Sequence, residues 1–220
     1  MTQSTDLQAV IDTFIEAGVL SFGEFTLKSG RVSPYFFNLG KIFQGKPLNF
    51  MAKAYASLLK RDFADADVVF GPAYKGIPLA SAAAVSAYEH FDMSVGVAFD
   101  RKEAKTHGEG GLFVGHPLKG KIVLIDDVIT AGSAVRSSLE KMKSESTEGR
   151  VVGLIVAMDR QEAVVEGGQS AIQSLEAETG LKVSALLTFA DIISYIKNNP
   201  EFSHHLPAME AYRERYGAKA

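Results

Sequence analysis

The sequence predicts an α/β protein built on a doubly wound, mainly parallel twisted sheet flanked by helices, and three observations carry that prediction. Short apolar runs alternate with helical patterns from about residue 48 to 198, the order that βα units impose on a parallel sheet. Residues 122–125 are four consecutive apolar side chains, mostly β-branched, as in a strand buried on both faces. Loops bearing acids, glycines or cations follow the predicted strands at 71–76, from 101, from 126 and at 159–160. In open sheets, ligands bind outside the carboxyl ends of the strands.

Taken in order, residues 6–17 place Leu7, Val10, Ile11, Phe14 and Ile15 on one face of an amphipathic helix that Gly18 ends. Residues 19–28 then alternate, Ser29-Gly30 marks a turn, and 32–39 extend again, which reads as a hairpin. Residues 48–63 are helical, and 68–70 form a short buried strand stopped by Gly71-Pro72. A helix of small residues spans 77–90, a strand 94–99, and periodicity is lost over 101–115. The strand at 122–125 halts at Asp126 and Asp127, crosses a small-residue loop, and enters a helix from Ala134 to about residue 146. Past a polar connector at 144–150, a strand (151–158), a helix (171–179), a strand (181–187) and helices at 189–197 and 207–216 complete the pattern. The expected organisation is one domain over 1–220. It has a small N-terminal α+β hood (1–45), a core (46–200) with a flap at 101–115, and a C-terminal helix in 201–220.

Bulk properties narrow the function. A net charge of −3 offers no basic excess to neutralise nucleic-acid phosphates. Cysteine is absent, so disulfides and thiolate metal sites are excluded. Residues 1–10 are polar and no apolar run approaches membrane-spanning length, which predicts a cytoplasmic protein without a membrane partner.

The chemistry concentrates at 126–134. Asp126 and Asp127 precede Val128, Ile129, Thr130, Ala131, Gly132, Ser133 and Ala134, where the next helix opens. Loop N–H groups, the helix start and two hydroxyls suit an anion such as a phosphate. The paired carboxylates suit sugar hydroxyls or a ligand-borne divalent cation. A plain strand capped by Asp127 or Thr130 would account for only part of this pattern. Three further loops join it. Residues 71–76 set Tyr74 and Lys75 between glycines; 101–111 hold Arg101, Lys102, Lys105 and His107 before three glycines; Arg160 follows a strand and could grip a carboxylate with its fork. Phe36 and Phe37 on the hairpin could flank a flat base or simply serve the core. Residues 115–121 spell GxxxxGK, but residue 122 is Ile and the Lys opens a strand, so this is no P-loop. His204 and His205 read as surface residues.

Assembled, these blocks resemble the orotate phosphoribosyltransferases of the short bacterial dimeric type. The resemblance rests on FGEFTLKSGRVSPYFFN (22–38), FGPAYKGIPLA (70–80), RKEAKTHGEGG (101–111), VLIDDVITAGSA (123–134) and DRQE (159–162). It implies a type I phosphoribosyltransferase fold and transfer of phosphoribose from 5-phosphoribosyl diphosphate (PRPP) to orotate, with Mg²⁺. Residues 130–134 would then cradle the 5′-phosphate, and Asp126 and Asp127 the ribose hydroxyls, with Val128 and Ile129 alongside. Tyr74, Lys75 and Lys102 would face PRPP, and Lys28 both diphosphate and base. Phe36, Phe37, Thr130 and Arg160 would bind orotate, Arg160 taking its carboxylate. The resemblance also implies a homodimer in which Arg101, Lys105 and His107 serve the neighbour's site, Lys105 or His107 assisting departure of the diphosphate. Ser133 stands where the family usually has Thr, which keeps the hydroxyl. The alternatives are a phosphoribosyltransferase for another base, or a non-enzymatic PRPP-sensing regulator, for which a basic DNA-binding face is wanting.

Overall fold

The computed structural model describes residues 7–27, 29–105, 111–129, 132–145, 147–165 and 167–219, with only the backbone at 102–105. Helix α1 (Leu7–Glu16) buries Val10, Ile11 and Phe14, the stripe its periodicity predicts. Strands β1 (Leu20–Thr26) and β2 (Val32–Phe37) pair antiparallel as the expected hairpin, with a bulge between Phe22 and Phe25. Helix α2 (Gly45–Asp62), β3 (Val68–Gly71), α3 (Gly76–Phe91), β4 (Gly96–Lys105), β5 (Gly111–Gly115) and β6 (Lys121–Val128) follow. Helix α4 (Ser133–Ser144), β7 (Arg150–Asp159), α5 (Ala171–Thr179), β8 (Lys182–Thr188), α6 (Phe189–Asn198) and α7 (Leu206–Tyr216) complete the chain.

The main sheet runs β5-β4-β3-β6-β7-β8, parallel throughout except for β5 against β4. Alternation along its strands divides the core in two. Val69, Val123, Ile125, Ile155 and Ala157 face α1, α2, α3, α6 and α7. Val68, Phe70, Ile122, Leu124, Leu154 and Val156 face α4 and α5. Helices therefore cover both faces, which is why the central strands read as unbroken apolar runs.

Three sequence expectations change. Residues 101–115 are not aperiodic around the turn: β4 and β5 form an antiparallel hairpin, with Asp100 opposite Phe113 and Lys105 opposite Gly111. A hairpin at a sheet's margin is held by its backbone ladder and can carry charged side chains, so no apolar alternation betrays it. Strand β6 also does not stop at the acids. It pairs with β7 through Asp126–Val156 to Val128–Met158, because β7 is long enough to supply ladder partners beyond the apolar run. His205 is likewise not plain surface: it sits in a 3-10 turn, half-buried, with its ring stacked 5.3 Å from Phe22. Burial and the neighbouring His204 push its pKa down.

Candidate active site

The carboxyl edge of the sheet gathers the predicted groups. The loop after β3 returns into α3 so tightly that a Cβ on Gly71 would lie 2.2 Å from the Gly76 carbonyl oxygen. The glycines that bound Tyr74 and Lys75 thus have a packing reason. The loop brings Lys75 Nζ to 2.5 Å from Asp127 Oδ2 across the β3–β6 boundary. Tyr74, beside it, is 64% exposed.

Each acid of the pair accepts the N–H of the following residue: Asp127 to Asp126 and Val128 to Asp127, both at 2.8 Å. From α2, the buried Tyr55 hydroxyl donates to the Asp126 carbonyl at 2.8 Å, anchoring this point of the strand. Burial, reinforced by the Asp127 charge, raises the Asp126 pKa to about 7. Helix α4 opens at Ser133, six positions past Asp127, with Gly132 at its N-cap in the left-handed region (φ 71°). Gly132 brings no side chain to cap that helix, whose start is the kind of place where N–H groups meet an anion. Thr130 and Ala131 lie outside the described residues, as do Lys28 and His107, and so do the side chains of Lys102 and Lys105. Arg101 spans the hairpin, donating to the Gly111 carbonyl at 3.4 Å.

Beside this edge opens a cleft of about 760 Å³, large enough for a base with its sugar. Its lining brings together Phe36, Phe37, Val128, Ile129 and Arg160, all of them expected. Phe36 stacks on Phe25 at 5.4 Å and keeps 38% of its surface exposed, whereas Phe37 is buried against Phe14. Arg160 lies over the Tyr35 ring at 4.6 Å and donates from Nε to Glu162 at 2.9 Å. Burial pulls its pKa down, but Tyr35 and Glu162 outweigh that and hold it above its ordinary value. The guanidinium is thus a fixed cation at the cleft wall.

Four residues escaped the sequence reading. Arg31 and Glu162 also line the cleft. Asp100, buried at the sheet edge, accepts the Ala73 N–H at 2.8 Å and pairs with Lys141 of α4. Glu162 stands two positions after Arg160 and could have been noticed; Asp100 and Lys141 are 41 residues apart and meet only in the fold.

A sheet edge that joins paired acids to a helix start and a cationic loop, beside a base-sized cleft, defines a phosphoribosyltransferase. The family described as the phosphoribosyl transferase domain matches residues 40–178. The chain is 50% identical, over 94% of its length and 95% of that protein, to an orotate phosphoribosyltransferase of Proteus mirabilis. It is 47% identical to that of Colwellia psychrerythraea, over 94% of this chain and 96% of that protein. The crystal structure of the Francisella tularensis orotate phosphoribosyltransferase superimposes with a TM-score of 0.85 at 38% identity, covering 95% of this chain and 99% of that one. The chain belongs to the orotate phosphoribosyltransferase family. An adenine phosphoribosyltransferase from Saccharomyces cerevisiae, at 17% identity and a TM-score of 0.55 over 80% of this chain and 99% of that one, shares the fold alone.

Proposed function

We propose that this chain transfers the 5-phosphoribosyl group of PRPP to orotate, giving orotidine 5′-phosphate and diphosphate in pyrimidine (UMP) biosynthesis. It is a glycosyltransferase of the pentosyl class. The observation that carries the reading is the fixed, half-buried Arg160 guanidinium on a base-sized cleft that reaches Val128 and Ile129, just past the Asp126–Asp127 pair. A hydrophobic slot alone would serve any base; a cation clamped at its wall favours one bearing a carboxylate.

In the reaction the C1′–oxygen bond breaks with its electron pair leaving on diphosphate, and a ring nitrogen of orotate forms the new bond to C1′. The transition state has oxocarbenium character, so the protein must orient sugar and base, neutralise the leaving group and exclude water. Asp126 and Asp127 hold the ribose hydroxyls, and the segment 130–134 its 5′-phosphate. Lys75 and Tyr74 face the diphosphate, with Lys28, Arg101, Lys102, Lys105 and His107 completing its charge neutralisation. Phe36 and Phe37 flank orotate, which Thr130 and Arg160 orient.

Among the described residues no cluster of three or more acids and histidines could cage a metal. Two carboxylates suit a hydrated Mg²⁺ that arrives on the diphosphate. Bound there, it would offset charge on the departing oxygens. We further propose a single domain with an N-terminal hood, a homodimer that shares its flap at 101–115, and a cytoplasmic location.

A spectrophotometric assay of orotate consumption with PRPP and Mg²⁺ tests the assignment. Orotate loss dependent on both is expected; no loss of orotate together with turnover of another base overturns it.

A further inference from the structure

We propose that Glu162 is a positioning residue for base recognition, locked by Tyr35 and Tyr212, so that helix α7 is part of the specificity apparatus. The proposal rests on the assignment of Arg160 to the carboxylate of orotate.

Glu162 gathers an unusual number of donors. Its Oε1 accepts from Arg160 Nε at 2.9 Å, from the Tyr212 hydroxyl at 3.1 Å and from the Tyr35 hydroxyl at 3.3 Å. Its Oε2 lies 3.6 Å from Arg31 Nη1. One carboxylate therefore stands between two guanidiniums, and this three-residue cluster on the cleft wall keeps one net positive charge, with Asp159 lining the cleft nearby. That balance matches a ligand with a single carboxylate.

The guanidinium itself is incompletely used. Arg160 Nη2 is 2.7 Å from Glu162 Oε1, yet it is buried without an aligned hydrogen bond among the described residues. A buried donor in that state depends on the Glu162 charge beside it, which ties the guanidinium to that carboxylate. With Nε and Nη2 both turned to Glu162 and the ring of Tyr35 beneath, Nη1 is the nitrogen assigned to an incoming carboxylate.

The backbone of this loop is held as firmly. Gln161 adopts φ 51°, a conformation that non-glycine residues rarely take. It is tied three ways: its N–H to Asp159 Oδ1 at 2.8 Å, its Oε1 to the Ala190 N–H at 2.9 Å, and its carbonyl to the Ala218 N–H at 2.9 Å. Ala163 N–H donates to the Tyr216 carbonyl at 2.9 Å, and Glu162 forms an antiparallel bridge with Gly217. Helix α7 and the segment after it thus clamp the loop from outside, while Tyr212 reaches through to the carboxylate. Strain held by this many contacts beside a cleft marks a functional position.

The test compares Glu162→Gln, Tyr212→Phe, Arg160→Ala and the double variant Glu162→Gln/Arg160→Ala by steady-state kinetics, with thermal midpoints as a control. Glu162→Gln is expected to raise the KM for orotate roughly tenfold, as for a lost hydrogen bond to a charged group, with the KM for PRPP unchanged within about twofold. Tyr212→Phe, which deletes one O–H, should give a smaller rise of about threefold in the same constant alone. In the double variant, Glu162→Gln should add nothing to the loss from Arg160→Ala, because it acts only through that side chain. An unchanged KM for orotate in both Glu162→Gln and Tyr212→Phe overturns the proposal. So does an equal rise in both Michaelis constants, or additive losses in the double variant. Should Glu162→Gln fail to fold, Tyr212→Phe alone decides by the same criterion. If Arg160→Ala itself leaves the KM for orotate unchanged, the underlying assignment of Arg160 falls, and this proposal with it.

Discussion

The unusual residue of the proposed phosphoribose site is Asp126. Burial and its neighbour Asp127 lift its pKa from an ordinary 3.8 to about 7, so the folded protein holds this proton more tightly than the unfolded chain. Between about pH 4 and 7 the native state binds more protons, and stability must fall as pH rises through that window, levelling off above it. Asp126→Asn removes the titration. Its thermal midpoint should lose most of that downward slope between pH 5 and 8, whereas the parent loses stability on the order of a few kcal/mol; an equal slope in both proteins would show that Asp126 is not responsible. Binding should run the opposite way, since ribose hydroxyls need the ionised acceptor, and PRPP affinity should improve over the same pH range. That two acids mattered was legible from their position after an apolar run. Their unequal environments were not, because the Tyr55 hydroxyl and Lys75 reach the two acids from other elements. Glu162 was missed for a related reason: its two tyrosine partners lie 127 and 50 residues away.

Elements explain why the loop of Tyr74 and Lys75 holds its place. Asp100, at the inner end of the β4–β5 hairpin, accepts the Ala73 N–H, and Lys141 on the third turn of α4 balances its charge. Helix α4 also opens at the proposed phosphate loop, so one element serves both ends of PRPP. Lys141→Met would leave Asp100 buried beside a single backbone donor. Breaking a fully buried pair costs about 3–5 kcal/mol; Lys141 is 26% exposed, so a loss of about 1–2 kcal/mol is expected after allowing for solvent screening. The KM for PRPP should rise several-fold while that for orotate stays constant; an effect on orotate alone would contradict the link to this loop. Helices and buried strands were readable here because each follows a single periodicity, 3.6 or a continuous apolar run. The hairpin and the last residues of β6 were not, since backbone ladders define them and charged side chains decorate them.

At the scale of the whole molecule, the start of α3 and one of its faces leave large side chains exposed. Tyr74 is 64% exposed, and Val85 and Tyr88, one turn apart on α3, are 60% and 62% exposed. Large apolar side chains grouped on a helix that starts at the proposed diphosphate loop are what a second copy of the chain would bury. Composition and periodicity could announce the fold class, but an exposed stripe on a helix of small residues reads in sequence as ordinary core. Shared sites make a prediction that separate sites do not. Lys105→Ala inactivates the lent segment and Gly132→Val the phosphate loop, where φ 71° disfavours a β-branched residue. Each variant alone should be nearly inactive. Mixed and allowed to exchange subunits, they should recover up to about a quarter of the parental activity, because half of the protein forms mixed dimers at random pairing and one of the two sites in each is intact. Absence of recovery, with exchange demonstrated by differently tagged subunits, would mean that each chain completes its own site.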